Sequence, residues 1–227
     1  NNVEAGVRAK AGGFSYNANF YYMGYKDQLI LTGQINDVGA YIRENVASSY
    51  RAGIELDGAY QFSSAWTLGG NLTLSQNKIR EFTEYIDDYS VDDFRQETFN
   101  YTNTDIAFSP NVVGSAIIEY KPSKNLSLNW LSKYVGRQFL DNTANEAKSL
   151  DAFFTNDLRI SYEATPRFFK GLELNLLINN IFNELYEPNG YTFSYFVPGG
   201  NGRELVTENF YYPQAGTNFL LGLRMKF

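Results

Sequence analysis

Ala215-Gly-Thr-Asn-Phe-Leu-Leu-Gly-Leu-Arg-Met-Lys-Phe227 decides how the rest of the chain is read. In an extended strand, successive side chains point to opposite faces. Phe219, Leu221, Leu223, Met225 and Phe227 then share one face. Asn218, Gly222, Arg224 and Lys226 share the other, with Leu220 as its one apolar member. A strand that is greasy on one side, polar on the other and ends on an aromatic fits the wall of a membrane-spanning β-barrel, with lipid outside and water or protein inside.

Composition agrees. The 227 residues are enough for one large all-β unit, and 17% are aromatic, with 18 Tyr and 18 Phe against 2 Trp. Mean hydropathy is negative and no apolar run is long enough for a spanning helix. Barrel strands alternate, so a polar average is what a barrel gives. The chain has no cysteine, which excludes disulfides and thiolate metal sites. It has no histidine, which removes the commonest general base and any Ser-His triad. No convincing pair of carboxylates replaces them, so no catalytic site, no metal site and no cofactor is expected. A net charge of −6 argues against a nucleic-acid partner.

Working back from Phe227, period-2 alternation predicts nine strands. The first carries Val3, Ala5, Val7 and Ala9, and the second Phe14, Tyr16, Ala18, Phe20 and Tyr22. The third and fourth, Tyr50–Phe62 and Trp66–Leu74, flank a turn of only Ser63-Ser64-Ala65. The fifth starts at Val112 and the sixth at Leu126; the seventh is centred on Ile160 and the eighth on Leu174. Connections alternate short and long: residues 26–44, 78–109, near 141–149 and 183–212 read as long. Outer-membrane barrels have tight periplasmic turns and long external loops. Phe14, Tyr16, Tyr60, Phe62, Trp66, Tyr120 and Tyr162 crowd beside the short turns, where an interfacial girdle belongs. A soluble sandwich or lipocalin-like barrel would also alternate. Against it stand the terminal aromatic, the strand lengths and the asymmetry of the connections.

The fold expected is therefore an all-β, antiparallel transmembrane β-barrel. With nine strands, the first and the last run the same way, whereas bacterial single-chain barrels close antiparallel with an even count. Unpaired edges are untenable in hydrocarbon. Strands preceding Asn1 that pair with both edges are expected, and so is an export signal upstream, because Asn1-Asn2-Val3 already reads as strand.

Three stretches carry a family resemblance. They are Tyr22–Gly39 followed by Ser49-Tyr-Arg-Ala-Gly-Ile-Glu-Leu56; Leu176-Leu-Ile-Asn-Asn-Ile-Phe-Asn-Glu-Leu-Tyr186; and Tyr212–Phe227. Together they resemble the C-terminal part of the barrel of a TonB-dependent outer-membrane receptor of the kind common in Bacteroidetes. The resemblance spans nearly all of residues 1–227 and implies one domain, the C-terminal portion of a 22-stranded barrel. A plug and the earlier strands would lie before Asn1. It implies a Gram-negative outer-membrane location and active uptake of a scarce nutrient powered by TonB, ExbB and ExbD. The closing Tyr-Pro-Gln-Ala-Gly-Thr-Asn-Phe looks more like the iron-complex branch, for siderophore or heme. A glycan or peptide importer with a surface lipoprotein as lid stays open, as does a passive porin.

Candidate site residues follow. Tyr191, Phe193, Tyr195 and Phe196, with Phe210 and Tyr211, lie in the last long connection and suit a flat ligand by stacking and cation–π contact, or else extend the lipid-facing side of the eighth and ninth strands or pack the loop on its neighbours. Glu55, Asp57, Asn71, Lys133, Arg137, Asp157, Arg159, Asn175 and Asn179 fall on the polar face, where they would line a lumen or hold a plug. The acidic stretch 78–109 reads as a solvated loop, with calcium as the alternative, although its spacing matches no defined calcium loop. In the family, the terminal aromatic, here Phe227, is part of the signal read by the barrel-assembly machinery.

Overall fold

The structure is a computed structural model that describes residues 1–227 apart from Phe94, Phe169 and Asn201. The described residues form fourteen strands and no helix. These are β1 (Asn2–Ala11), β2 (Phe14–Ile35), β3 (Tyr41–Gln61), β4 (Trp66–Asp88), β5 (Arg95–Asp105), β6 (Val112–Ser123), β7 (Leu126–Val135), β8 (Gln138–Phe139), β9 (Ser149–Leu150), β10 (Phe153–Ala164), β11 (Gly171–Asn179), β12 (Asn189–Gly199), β13 (Gly202–Tyr212) and β14 (Asn218–Lys226).

Nine of them make an antiparallel path, β1-β2-β3-β4-β6-β7-β10-β11-β14, and correspond one for one to the nine expected strands. The other five decorate the end with the long connections: β5 pairs β4, β12 pairs β13, and β8 pairs β9. Among the described residues β1 pairs only with β2 and β14 only with β11, so the sheet stays open.

Register explains the two faces. Phe20 pairs Ile54, Ile54 pairs Leu74, Leu72 pairs Leu56, Leu68 pairs Ile118, Ile118 pairs Trp130, and Leu158 pairs both Trp130 and Ile178. Ile178 pairs Phe219 and Leu176 pairs Leu221. One apolar face thus runs unbroken across all nine strands, and its side chains are exposed, as at Phe20, Ile54, Leu74 and Phe219, or half-buried, as at Trp130, Leu158 and Ile178. The opposite face joins Asn17 to Asp57, Asp57 to Asn71, Asn71 to Ser115 and Ser161 to Asn175. A one-residue slip would exchange the faces, so the difference between the greasy and the polar side fixes the register.

Aromatics band the apolar face at both ends. Beside the short turns, Phe14, Tyr60 and Phe62 contact edge to face, and Trp66 stacks on Tyr120 with ring centres 4.2 Å apart. Toward the other end Tyr22 stacks on Tyr50 at 6.0 Å. Phe14 to Tyr22 and Tyr50 to Tyr60 span eight and ten residues. At about 3.4 Å per residue and a tilt of about 40°, that is roughly 20–26 Å of height, the scale of an outer-membrane apolar band.

The long connections differ from the expectation. Residues 26–44 are not a loop: β2 and β3 continue as a ladder to a tight turn at Asn36–Gly39. Most of 78–109 is β4 and β5, and 189–212 is the β12–β13 hairpin. Beyond the apolar band neither face has one fixed solvent, so alternation fades. The backbone still needs its hydrogen bonds, and the ladders carry on.

Candidate ligand site at the long-connection end

The strand extensions enclose a small core of Ile30, Val46, Ile79, Phe82 and Ile106, with Tyr101 against it. The segment between β7 and β10 folds over this core and buries Leu140 and Leu150. Asn142 fastens it: its Oδ1 accepts from the Ala107 amide at 2.9 Å and its Nδ2 donates to the Leu31 carbonyl at 2.7 Å, with the side chain fully buried. Gly33 makes the approach possible. It has φ +91°, and a Cβ there would sit on the Leu140 carbonyl. Gly33 is a packing position inside β2, at the register shift between Leu31 and Ile35.

The same segment delivers Lys148. Its ammonium lies 2.7 Å from Glu84 Oε1 and 2.9 Å from Asp141 Oδ2 and is 5% exposed. Burial alone would favour the neutral amine. The two carboxylates outweigh it and hold the lysine charged above its ordinary range. Tyr101 donates to the second oxygen of Glu84 at 2.8 Å, and burial beside that carboxylate pushes its phenol up. Next to this triad opens a cavity of about 70 Å³, lined also by Gln34, Glu44 and Thr192.

The β12–β13 hairpin lies over that cavity. One face carries Tyr191, Phe193, Tyr195 and Phe210; the other carries Thr192, Ser194, Thr207 and Asn209. Of the four predicted aromatics, Tyr191 stacks on Phe210 at 4.8 Å and packs edge-on to Phe193, while Tyr195 donates to Glu208. Phe196 is buried beside Phe99, with the Arg203 guanidinium 4.2 Å over its ring. At its base the hairpin is held by Tyr41, whose hydroxyl lies 2.8 Å from Asn189 Oδ1 and 2.9 Å from the Gly190 carbonyl. At its tip Tyr195 and Phe196 pair in parallel with Asp87 and Asp88. The Asp88 carboxylate is fully buried between Ser90, Arg95 and Arg203, and Arg203 also reaches Glu97 at 2.8 Å. Hydrogen bonds from Ser90 and the two arginines hold its carboxyl well below the usual carboxylate range, against the opposing effect of burial.

On the polar face of the wall, Glu55, Asp57, Asn71, Lys133, Asp157, Arg159, Asn175 and Asn179 share one side of the sheet. They do not converge on a single point: Asp157, Arg159 and Asn179 line one cavity of about 470 Å³, and Asp57 and Asn71 lie apart from it. Asp57 accepts from Asn17 and Asn71 donates to Ser115. Asp157 does not pair with Arg159: its Oδ1 accepts from the Asn180 amide at 2.8 Å. That amide opens the Asn-Ile-Phe-Asn turn, where Asn180 and Asn183 both take positive φ and bond to the chain entering β14. Arg137 lies beyond the end of β7, paired with Glu146 at 2.9 Å and set over Phe139. Phe227 follows β14 at the end with the short turns. The acids of 78–109 are spread along β4, β5 and the turn between them, and among the described residues no three side chains are grouped to hold a metal.

Sequence reasoning did not single out Glu44, Lys148, Asn142, Tyr41 or Arg203. Their partners lie 64 to 149 residues away for Lys148 with Glu84, Asn142 with Leu31, and Tyr41 with Gly190, which no local spacing encodes.

The wall has counterparts among solved structures. The ferric yersiniabactin uptake receptor from Yersinia pestis matches with TM-score 0.63 at 14% identity, over 98% of this chain and 28% of that one. The ferric-catecholate import receptor from E. coli K12 matches with TM-score 0.63 at 16% identity, over 100% and 27%. A copper transporter, OprC, matches with TM-score 0.65 at 16% identity, over 100% and 30%. At these identities the likeness is one of fold, and the chain spans less than a third of their length. No curated protein matches in sequence. The model of the family described as TonB dependent receptor-like, beta-barrel matches residues 1–181, and it carries no mark of a Bacteroidetes type. Since that match takes in most of the chain and eight of the nine wall strands, the chain belongs to the TonB-dependent receptor-like β-barrel family.

Proposed function

We propose that the chain is the C-terminal part of a larger, 22-stranded outer-membrane barrel that takes up an iron complex, siderophore or heme, by TonB-dependent active transport. The observation that carries this is the unbroken apolar face across nine strands, backed by a polar face of Asp57, Asn71, Asp157 and Asn175. The apolar face suits lipid, and the polar face suits a lumen or a plug. The two open edges, β1 and β14, are the places for the remaining strands. Family membership supports an N-terminal plug and the TonB-ExbB-ExbD complex as partners. The uptake and import receptors among the similar structures support a ferric cargo. Phe227 is the candidate contact for the barrel-assembly machinery.

The test is uptake of radiolabelled iron complexes by Gram-negative cells that carry the full-length receptor. Uptake should require the receptor and stop when the proton gradient is dissipated. Flux that survives dissipation means a passive porin. Energised uptake of oligosaccharides or peptides in place of iron means the other branch of importer.

A further inference from the structure

Under the β12–β13 hairpin the cavity of about 70 Å³ has an uneven chemistry. It meets three carboxylates, Glu44, Glu84 and Asp141, and one ammonium, Lys148. Lys148 is spent on Glu84 and Asp141, and Tyr101 takes the remaining Glu84 oxygen. Glu44 is left. No hydrogen bond or ion pair reaches its carboxylate among the described residues, and its half-burial raises its pKa with no compensating donor. The hydroxyl of Thr192 already donates to Asn209, and that of Thr83 donates to Asn100, so both face the cavity with acceptor lone pairs. The lining therefore carries net negative charge with Glu44 as its unpaired carboxylate; Gln34 and Tyr85 add neutral groups that can donate or accept, and its one cation, Lys148, is already occupied.

Such a lining selects its occupant. An anion would meet net negative charge with no free cation. A hard metal ion wants several oxygen ligands from carboxylates or carbonyls, and no three metal-ligating side chains group among the described residues. A primary ammonium carries three donors, no acceptor and one positive charge. A water-sized group needs on the order of 10–15 Å³ of such space, so the cavity has room for an ammonium and its first carbons. We propose that this cavity binds a protonated primary amine borne by the transported ligand, with Glu44 as its counter-ion. This deepens the uptake reading and rests on it for the cargo: the iron complex would carry an amine on its rim and would not be a bare polyanion.

The experiment uses purified full-length receptor in detergent and three probes of one size: butane-1,4-diamine, butane-1,4-diol and succinate, followed by calorimetry. The diamine should bind, and the diol and succinate should not. Glu44→Gln should weaken diamine binding at least tenfold at an unchanged melting temperature, while Glu187→Gln, on the exposed approach to β12, leaves it as in the wild type. Diamine binding that is absent, equal in Glu44→Gln, or matched by the diol or by potassium ion overturns the assignment. The probe panel on the wild-type receptor decides the question even if the variant fails to fold. No proton gradient enters this measurement, so loss of energised iron uptake would overturn the transport reading and leave the amine site standing.

Discussion

Strand β4 passes through two environments. Over Trp66–Leu74 its even-numbered side chains join the apolar face, where Leu72 pairs Leu56 on one side and Gly114 on the other and stays exposed. Over Phe82–Asp88 the same strand buries Phe82, Ile86 and the carboxylate of Asp88, and Glu84 grips Lys148. The wall is stabilised by a solvent that covers one face uniformly, so many of its residues are interchangeable. The loop end has no such solvent. It is held by a small apolar core and a few polar groups, each with named partners, so single residues there should count for more than in the wall.

Lys148→Met gives the largest expected effect. It removes the ammonium and leaves Glu84 and Asp141 buried without their counter-ion, and breaking a buried pair costs about 3–5 kcal/mol. The loss should be local. Hydrogen exchange should rise across residues 139–150 and the tip of β4 while the wall strands stay protected. Uniform exchange throughout the sheet would mean that the two regions are one cooperative unit. In the wall, Leu72→Arg should cost about 2–4 kcal/mol as read from folding into bilayers, because the charge faces mid-hydrocarbon. Asn71→Arg, on the opposite face of the same strand, should cost far less. Equal costs would remove the assignment of lipid to the Leu72 face.

The contrast also explains what the sequence could show. Phe219, Leu221, Leu223 and Met225 are readable because every residue on their face meets the same medium, and one alternating strand announces the next. The short turns at Gly12-Gly13 and Ser63-Ser64 are readable for a similar reason: their flanking strands pair from the first residue. Asn-Ile-Phe-Asn was visible as a motif, but its work was not. Asn180 and Asn183 build the exit from β11, and Asp157 is consumed in capping it. Asp157 was legible as a polar-face residue and not as a turn cap. Lys148 looks like any surface lysine until Glu84, 64 residues earlier, is brought to it.

Gly33→Ala is expected to come next in size. The residue sits at φ +91° and its new Cβ would press on the Leu140 carbonyl and on Asp141, so both backbone strain and a clash follow. A cost of about 1–3 kcal/mol is expected, seen as loosening of the 139–150 segment. Gly39 is the matched control. It has φ +80° in the Asn36–Gly39 turn with open space around it, so Gly39→Ala should carry the strain of about 1–2 kcal/mol and no loosening of that segment. Similar loosening by both would mean that Gly33 is needed for its backbone angle and not for the packing.

The smallest effect expected is the pH response of the hairpin tip. Asp88 binds protons less readily in the folded protein than in the unfolded chain, because Ser90, Arg95 and Arg203 favour its charged form. Its contribution is therefore complete above the ordinary aspartate range, near about 3.9, and is lost as pH falls through the lower folded value. Both arginines are partly exposed, so solvent and salt weaken their share. Spin labels at Val91 and Leu205, both exposed, would report the separation of the β4–β5 turn from the hairpin. That distance should hold steady from neutral pH down through mildly acidic solution and widen only below the ordinary aspartate range. Asp88→Asn should widen it at every pH. A tip that opens between neutral and mildly acidic pH would show that Asp88 does not hold it. The hairpin would then rest on Tyr41 at its base and on Phe196 packed against Phe99.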